Sequence, residues 1–151
     1  MATERDNPYL AFNFLVDLGT GDTGSPQAGF QEVSGLNMEI NIADYRNGNE
    51  KTNHVRKIVG MHSFGDVTLR RGLIGATDLW EWIGQARAGD QGVARTVTIQ
   101  LLSESREDAV MTWKLTNARP MRYTAPSLNA TSGTEVAIEE LVLSVEAVDV
   151  S

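Results

Sequence analysis

Apolar and polar residues alternate along several short stretches of this chain. The clearest stretch follows a tight turn at Ser34-Gly35, where the apolar positions are Leu36, Met38, Ile40 and Ile42 and the polar positions are Asn37, Glu39 and Asn41. Successive side chains of a strand point to opposite faces, so this alternation predicts a half-buried β-strand from Leu36 to about Ala43.

The same alternation predicts further strands along the rest of the chain, at residues 12–18, 29–33, 55–59, 66–71, 96–101, 111–116 and 135–148. Residues 19–29 between the first two of these are rich in Gly, Thr, Ser and Pro, which favours a loop. We therefore expect the first two strands to form a hairpin.

The last predicted strand changes its apolar face partway along. Val136 and Ile138 are even-numbered, whereas Leu141 and Leu143 are odd-numbered. A shift of one residue moves every following side chain to the other face, so we expect a β-bulge at Glu139-Glu140.

One segment, residues 78–88, has the period of an amphipathic helix. Its apolar stripe comprises Leu79, Trp82, Ile83 and Ala86. Thr77 suits the N-cap and Gly89 suits the left-handed position that ends many helices. Trp80 lies off the stripe, which leaves a core position and a subunit interface open for it.

Length and composition fit one soluble domain over residues 1–151. The fold class expected is mainly β, an antiparallel sandwich or barrel with one packed α-helix. The chain has no cysteine, no apolar run of membrane-spanning length and no recognisable signal peptide. Its net charge of −7 argues against nucleic-acid binding as a main role.

Candidate chemistry is sparse, and we expect no enzyme activity, no cofactor and no metal. Gly19, Gly21 and Gly24 match a phosphate-loop spacing, but a strand rather than a helix follows, which favours a simple loop. His54 and His62 lack further ligands at a known metal spacing. Glu139 and Glu140 are adjacent, so in a regular strand their carboxylates point to opposite faces and would not share a substrate unless the expected bulge reorients them.

Three sequence blocks together resemble a known family. They are VSGL with the alternating strand and YRNG, then VTLRRG with a Trp-containing helix, and finally MTWKLTNARPMRYTAPSLNAT with EVAIEELVLSVE. In this order they resemble the inner tube (tail tube) proteins of contractile phage tails and of phage-tail-like extracellular contractile injection systems. The resemblance spans residues 9–148.

The resemblance implies a structural subunit that forms hexameric rings around a β-barrel, with the helix outside. Stacked rings would make a hollow conduit for cargo or DNA, inside a sheath and between a baseplate with spike and a terminal cap. Protein cargo would travel in the lumen. Assembly would occur in the bacterial cytoplasm, and the product would be a virion or an extracellular particle.

The resemblance also assigns roles to residues. The polar arm at about 44–56 would reach the neighbouring ring through Tyr45, Arg46, Asn47, Gly48, Asn49, Glu50 and Lys51. The polar side of the alternating strand would face the lumen through Asn37, Glu39 and Asn41. An alternative is a secreted, ring-forming effector carrier and chaperone of a related secretion system. The choice between phage tail and domesticated injection system stays open, as does the role of the Gly19–Gly29 loop.

Overall fold

A computed structural model describes residues 4–21, 23–131 and 133–151 of the chain. These residues form mainly antiparallel β-structure with one α-helix, α1 (Asp78–Arg87), and short 3-10 turns at Pro26–Ala28 and Gln91–Val93. The strands are β1 (Phe14–Asp17), β2 (Glu32–Ser34), β3 (Met38–Tyr45), β4 (Arg56–Phe64), β5 (Val67–Gly72), β6 (Arg95–Leu102), β7 (Ala109–Thr124), β8 (Ile138–Ser144) and β9 (Ala147–Val150).

The main sheet of the described residues has seven strands in the order β1-β6-β7-β8-β5-β2, with β9 also paired to β7. The long strand β7 connects its two halves: the first half pairs with β6 and β9, and the second half pairs with β8. At Asn117, between the halves, φ is +53° and the register against β6 shifts. Asparagine adopts this left-handed conformation more readily than most residues, and the resulting bulge bends the strand.

The core lies on the inner face of this bent sheet and under α1. Alternate residues of the central strands are fully buried there, namely Val67, Leu69, Val97, Leu115, Leu141 and Leu143. The helix adds Leu79 and Trp82, and the Trp82 indole N–H donates to the Val93 carbonyl at 2.8 Å. The predicted apolar stripe of the helix therefore packs against the sheet.

The structure confirms the predicted C-terminal end of α1 but not the predicted N-cap. Gly89 has φ +88° and its N–H donates to the Ala86 carbonyl, which is the predicted left-handed ending. Thr77 does not cap the helix through its hydroxyl, contrary to our expectation. That hydroxyl instead donates to the Glu81 carboxylate at 2.9 Å.

An ionic cluster is buried where α1 meets β5 and β8. Arg71 is 0% exposed, and its guanidinium lies 2.5 Å from both the Glu139 and the Asp78 carboxylates. It also donates to the Gln27 carbonyl at 2.7 Å. The Tyr123 hydroxyl donates to Glu139 at 2.6 Å, and burial together with this hydrogen bond raises the pKa of Tyr123 to about 12. The cluster thus joins the helix, three strands and the Gly19–Gly29 loop.

The bulge predicted at Glu139-Glu140 is absent. The β5–β8 ladder runs without a register shift from Gly72 opposite Ile138 to Val67 opposite Leu143. The apolar pattern changed because Glu139, 1% exposed, occupies a core position as the partner of Arg71. Val136 lies before the strand, in solvent. The register shift on this side of the sheet is instead on β7, between Pro120 and Arg122.

The predicted hairpin of the first two strands was also wrong. β1 pairs with β6, and β2 pairs with β5, so the Gly19–Gly29 loop crosses from one edge of the sheet to the other. Alternation along a strand records which side chains share a face and does not specify the partner strand.

We predict that Arg71→Met lowers the free energy of unfolding by about 3–5 kcal/mol, because it leaves the buried Glu139 carboxylate unpaired. The matched control is Arg119→Met, which removes an exposed ion pair with Glu146 at 3.0 Å and should cost less than about 1 kcal/mol. Urea unfolding followed by Trp fluorescence measures both. Equal losses for the two variants would contradict this account of the cluster.

Candidate functional site

The most exposed part of the fold is the hairpin of β3 and β4. These two strands pair with each other in a sheet of their own, apart from the main sheet. Every residue of β3 is exposed, and so is every residue of β4 except Phe64. The strand predicted at 36–43 therefore exists, but within one chain neither of its faces is buried, contrary to our expectation.

One face of the hairpin is apolar. Directly opposite residues share a face, and the ladder pairs Met38 with Phe64, Ile40 with His62 and Ile42 with Val59. We call Met38, Ile40, Ile42 and Val59 the apolar hairpin face; their exposed fractions are 59%, 45%, 51% and 70%. An uncovered apolar surface of this kind indicates an interaction site.

The other face of the hairpin carries the polar residues of the alternating pattern. Glu39 lies opposite Ser63, and Asn41 follows Glu39 on the same face. The register shifts beside Asn41, where the β4 residues Gly60 and Met61 face a single β3 residue. We call Glu39, Asn41 and Ser63 the polar hairpin face; the exposed Met61 and Ile58, opposite Asn41 and Ala43, lie on the same side nearer the tip. Two of the three residues predicted to line a lumen are thus brought together.

The third predicted lumen residue, Asn37, lies at the root of the hairpin, before β3 begins. Its carbonyl accepts the Gly65 N–H at 3.2 Å, and a Cβ on Gly65 would lie 2.1 Å from the Asn37 amide oxygen. Gly35 has φ +89°, and a Cβ there would lie 2.1 Å from the Asp66 carbonyl oxygen. Both glycines therefore allow the two chain segments to approach closely and fix the direction in which the hairpin leaves the core.

The predicted arm at 44–56 is the folded tip of this hairpin. Asp44 and Tyr45 still belong to β3. The loop then folds around Arg46, whose guanidinium donates to the carbonyls of Glu50 and Thr52 at 3.0 Å each. The remaining predicted interface residues, Asn47, Gly48, Asn49 and Lys51, are exposed.

Salt bridges and charge distinguish the tip from the rest of the chain. The Glu50 carboxylate lies 2.8 Å from Arg56, and Asp44 lies 2.6 Å from Lys57. Residues 44–57 contain four basic and two acidic side chains, whereas the whole chain has a net charge of −7. The tip is therefore a basic extension of an acidic protein.

A second apolar surface lies between the ends of the main sheet. β1 and β2 are its terminal strands and are not paired with each other in the described part of the chain. A groove of about 360 Å³ separates them, and we call it the seam groove; its apolar lining is Ala11, Phe14, Val33, Leu36, Ile99, Leu101 and Trp113. Trp113 packs against the core with one side and lines this groove with the other.

A further groove lies between α1 and β7 and explains the position of Trp80. The Trp80 ring is 50% exposed, packs edge-on against Tyr123 with ring centres 5.5 Å apart, and lies 5.7 Å from the Arg87 guanidinium. Met121 lines the same groove and is exposed. Trp80 is thus neither fully in the core nor free of contacts.

The residues considered for chemistry are held in structural contacts. The N–H groups of Gly19 and Gly21 both donate to the Asp17 carboxylate at 2.9 Å, and the loop continues into a 3-10 turn and then β2. Asp22, within the glycine motif, lies outside the described residues. Among residues that are described, no cluster of three potential metal ligands occurs, and His62 packs against Phe64. Glu139 and Glu140 do face opposite ways: Glu139 is buried, and Glu140 lies 3.8 Å from Arg70.

Across residues 4–21, 23–131 and 133–151, no helix combines the length and apolar character that a membrane crossing requires.

Comparison with protein families gives one match over almost the whole chain. A family profile described as "T4-like virus tail tube protein gp19" matches residues 10–149. No curated protein sequence matches the chain.

Three similar solved structures are chains of an extracellular contractile injection system and of the anti-feeding prophage. A chain of the PVC sheath-tube complex, an extracellular contractile injection system in its extended state, is 30% identical with TM-score 0.82, covering 95% of this chain and 91% of that one. A chain of the anti-feeding prophage tube-terminating cap is 26% identical with TM-score 0.83, covering 100% and 95%. A chain of the anti-feeding prophage baseplate, 6-fold symmetrised, is 26% identical with TM-score 0.82, covering 97% and 97%.

We predict that Gly35→Ala destabilises the root of the hairpin, because the added Cβ meets the Asp66 carbonyl and the backbone has positive φ. The expected loss is about 1–3 kcal/mol in the free energy of unfolding. Gly48→Ala, at the tip with no atom within 4 Å of the added Cβ, is the matched control and should be nearly neutral. Thermal unfolding by circular dichroism compares them; an unchanged midpoint for Gly35→Ala would refute the role given to this glycine.

Proposed function

Because the chain belongs to the family of T4-like virus tail tube proteins, we propose that its copies close into hexameric rings and that the rings stack into a hollow conduit. The chain is a structural subunit of the inner tube of a contractile particle. The observation that best supports its self-assembly is the β3–β4 hairpin, whose two faces are both uncovered in the single chain.

The physical reason is that a two-stranded hairpin is barely stable in water by itself. Contact between the apolar hairpin face and water is unfavourable, and only a covering surface removes it. A head-to-tail contact between copies repeats around an axis, and a rotation that closes gives a ring. A structural subunit with such a hairpin therefore completes its fold by assembly.

Within the tube, the hairpin tip contacts the neighbouring ring through Tyr45, Arg46, Asn47, Gly48, Asn49, Glu50 and Lys51. The basic charge of the tip supports this role, because the acidic excess of each copy lies elsewhere on the chain. Oppositely charged surfaces attract each other and favour one relative orientation of the rings.

The polar hairpin face lines the lumen, with Glu39 and Asn41 pointing toward the axis and Asn37 at the margin of the lining. This face also carries Met61 and Ile58, so the lining is mixed. The Glu39 carboxylate and the Asn41 amide bind water, and Glu39 does not attract anionic cargo, which can then move along the wall. We propose protein cargo or DNA as what passes through.

The partners in the assembled particle are a sheath around the tube, a baseplate with spike at one end and a terminal cap at the other. The sheath-tube complex, the cap and the baseplate of similar particles support this assignment. Assembly takes place in the bacterial cytoplasm, and the finished particle acts outside the cell. The alternative role as a secreted effector carrier predicts effector binding inside an isolated ring, which a pull-down with purified rings would detect.

We predict that the purified chain forms hexameric rings and that, at higher concentration, these rings stack into tubes. Negative-stain electron microscopy and sedimentation velocity measure both. Ile42→Asp should leave single copies, because it places a charge on the apolar hairpin face, while the exposed-site control Leu128→Asp should assemble normally. A wild-type chain that stays a monomer at high concentration would overturn the proposal.

We also predict that the backbone amides of residues 47–53 exchange with solvent faster in single copies than in tubes. In one chain the Arg46 guanidinium holds the loop through the carbonyls of Glu50 and Thr52, and these contacts do not protect backbone N–H groups. A ring-to-ring contact would exclude water from those N–H groups. Hydrogen–deuterium exchange with mass spectrometry compares Ile42→Asp monomers with wild-type tubes. Equal protection in the two states would rule out an inter-ring role for the tip.

A further inference from the structure

We propose that the apolar hairpin face of one copy packs into the seam groove of the adjacent copy in the same ring. This inference rests on the proposed function, since it names the surface that receives the hairpin. It is carried by two uncovered apolar surfaces on one chain, one convex and one concave.

The convex surface is the hairpin. Val59 and Met38 are 70% and 59% exposed in the single chain, and Ile42, directly opposite Val59, is half exposed. The next pair on this face, Asp44 and Lys57, is held together at 2.6 Å, so the face carries no unpaired charge into a contact. An apolar surface whose only neighbouring charges form a salt bridge is suited to burial against another apolar surface.

The concave surface is the seam groove. Phe14 of β1 and Val33 of β2 line its two sides, and Trp113 of β7 lines it beside Ile99. Because β1 and β2 end the main sheet, each also has an edge whose N–H and C=O groups are not paired within it. A strand entering here would find apolar contacts and partners for its backbone.

The occupant is a second copy, because the hairpin of the same chain does not reach this groove. Close backbone contacts at Gly35 and Gly65 fix the direction of the hairpin, and in that direction its apolar face remains in solvent. The contact is therefore heterologous, and each copy would donate one hairpin and receive one. This is the geometry that a ring of identical subunits needs.

Packing of the apolar hairpin face into the seam groove also sets the direction of the polar hairpin face. With Ile40 and Ile42 buried in the neighbouring groove, Glu39 and Asn41 point away from that neighbour, since alternate side chains of a strand face opposite ways. The polar hairpin face then lies on the open side of the contact, which agrees with the lumen position proposed for it.

Cysteine cross-linking tests this contact without background, because the chain has no cysteine. The double variant Ile42→Cys with Leu101→Cys places one thiol on the apolar hairpin face and one in the groove. Under mild oxidation, rings should give covalent multimers on a non-reducing gel. An equimolar mixture of the two single variants should give dimers, which shows that the bond joins different copies.

The matched control is Asn41→Cys with Leu101→Cys, which moves the hairpin thiol to the polar face of the same strand. We expect at least ten-fold less cross-linked product from it. If Leu101→Cys prevents folding, Phe14→Cys, directly opposite Leu101 on the neighbouring strand β1, replaces it in both variants. Electron microscopy under reducing conditions confirms that each variant assembles before oxidation.

The outcomes separate the two proposals. Strong cross-linking from Ile42→Cys and little from Asn41→Cys supports the inference. Rings that form but give no cross-link, or equal cross-links from both hairpin faces, overturn it while the tube function stands. A wild-type chain that forms no rings overturns the proposed function itself.

Discussion

Backbone hydrogen bonding at uncovered strands is the constraint on which the rest of this structure depends. The main sheet ends at β1 and β2, and the β3–β4 hairpin stands apart with both faces in water. Exposed strands of this kind are an aggregation hazard unless something covers them. In a tube protein the covering surface belongs to identical copies, so the same feature that would be a defect in a monomer directs assembly.

The buried ionic cluster has a complementary role inside each subunit. Arg71 connects α1, β8 and the Gly19–Gly29 loop through Asp78, Glu139 and the Gln27 carbonyl. These groups are costly to bury, and they satisfy one another only in one arrangement of helix and sheet. The cluster therefore fixes the position of α1 on the sheet in each subunit.

The glycines at the hairpin root connect these two features. Gly35 and Gly65 let the chain pass close to Asp66 and Asn37, so the hairpin leaves the rigid body in a fixed direction. The hairpin tip is also ordered by its own contacts, with Arg46 bound to two backbone carbonyls. Direction and tip shape are therefore set within one chain before any neighbour binds, which lowers the entropy lost on assembly.

The sequence by itself determined the helix, the approximate places of most strands, the family and the two sides of the alternating strand, because periodicity records which side chains share a face. It did not show that β7 continues to Thr124 or that the predicted strand 135–148 is divided into β8 and β9. It did not determine strand partners, as the misassigned first hairpin shows, since alternation is the same whichever strand lies alongside. It also misread Glu139 as a sign of a bulge, because only the tertiary structure reveals Arg71 as its buried partner. The tertiary structure alone decided that the predicted half-buried strand is bare in one chain, because burial depends on what packs against a face and not on the face itself.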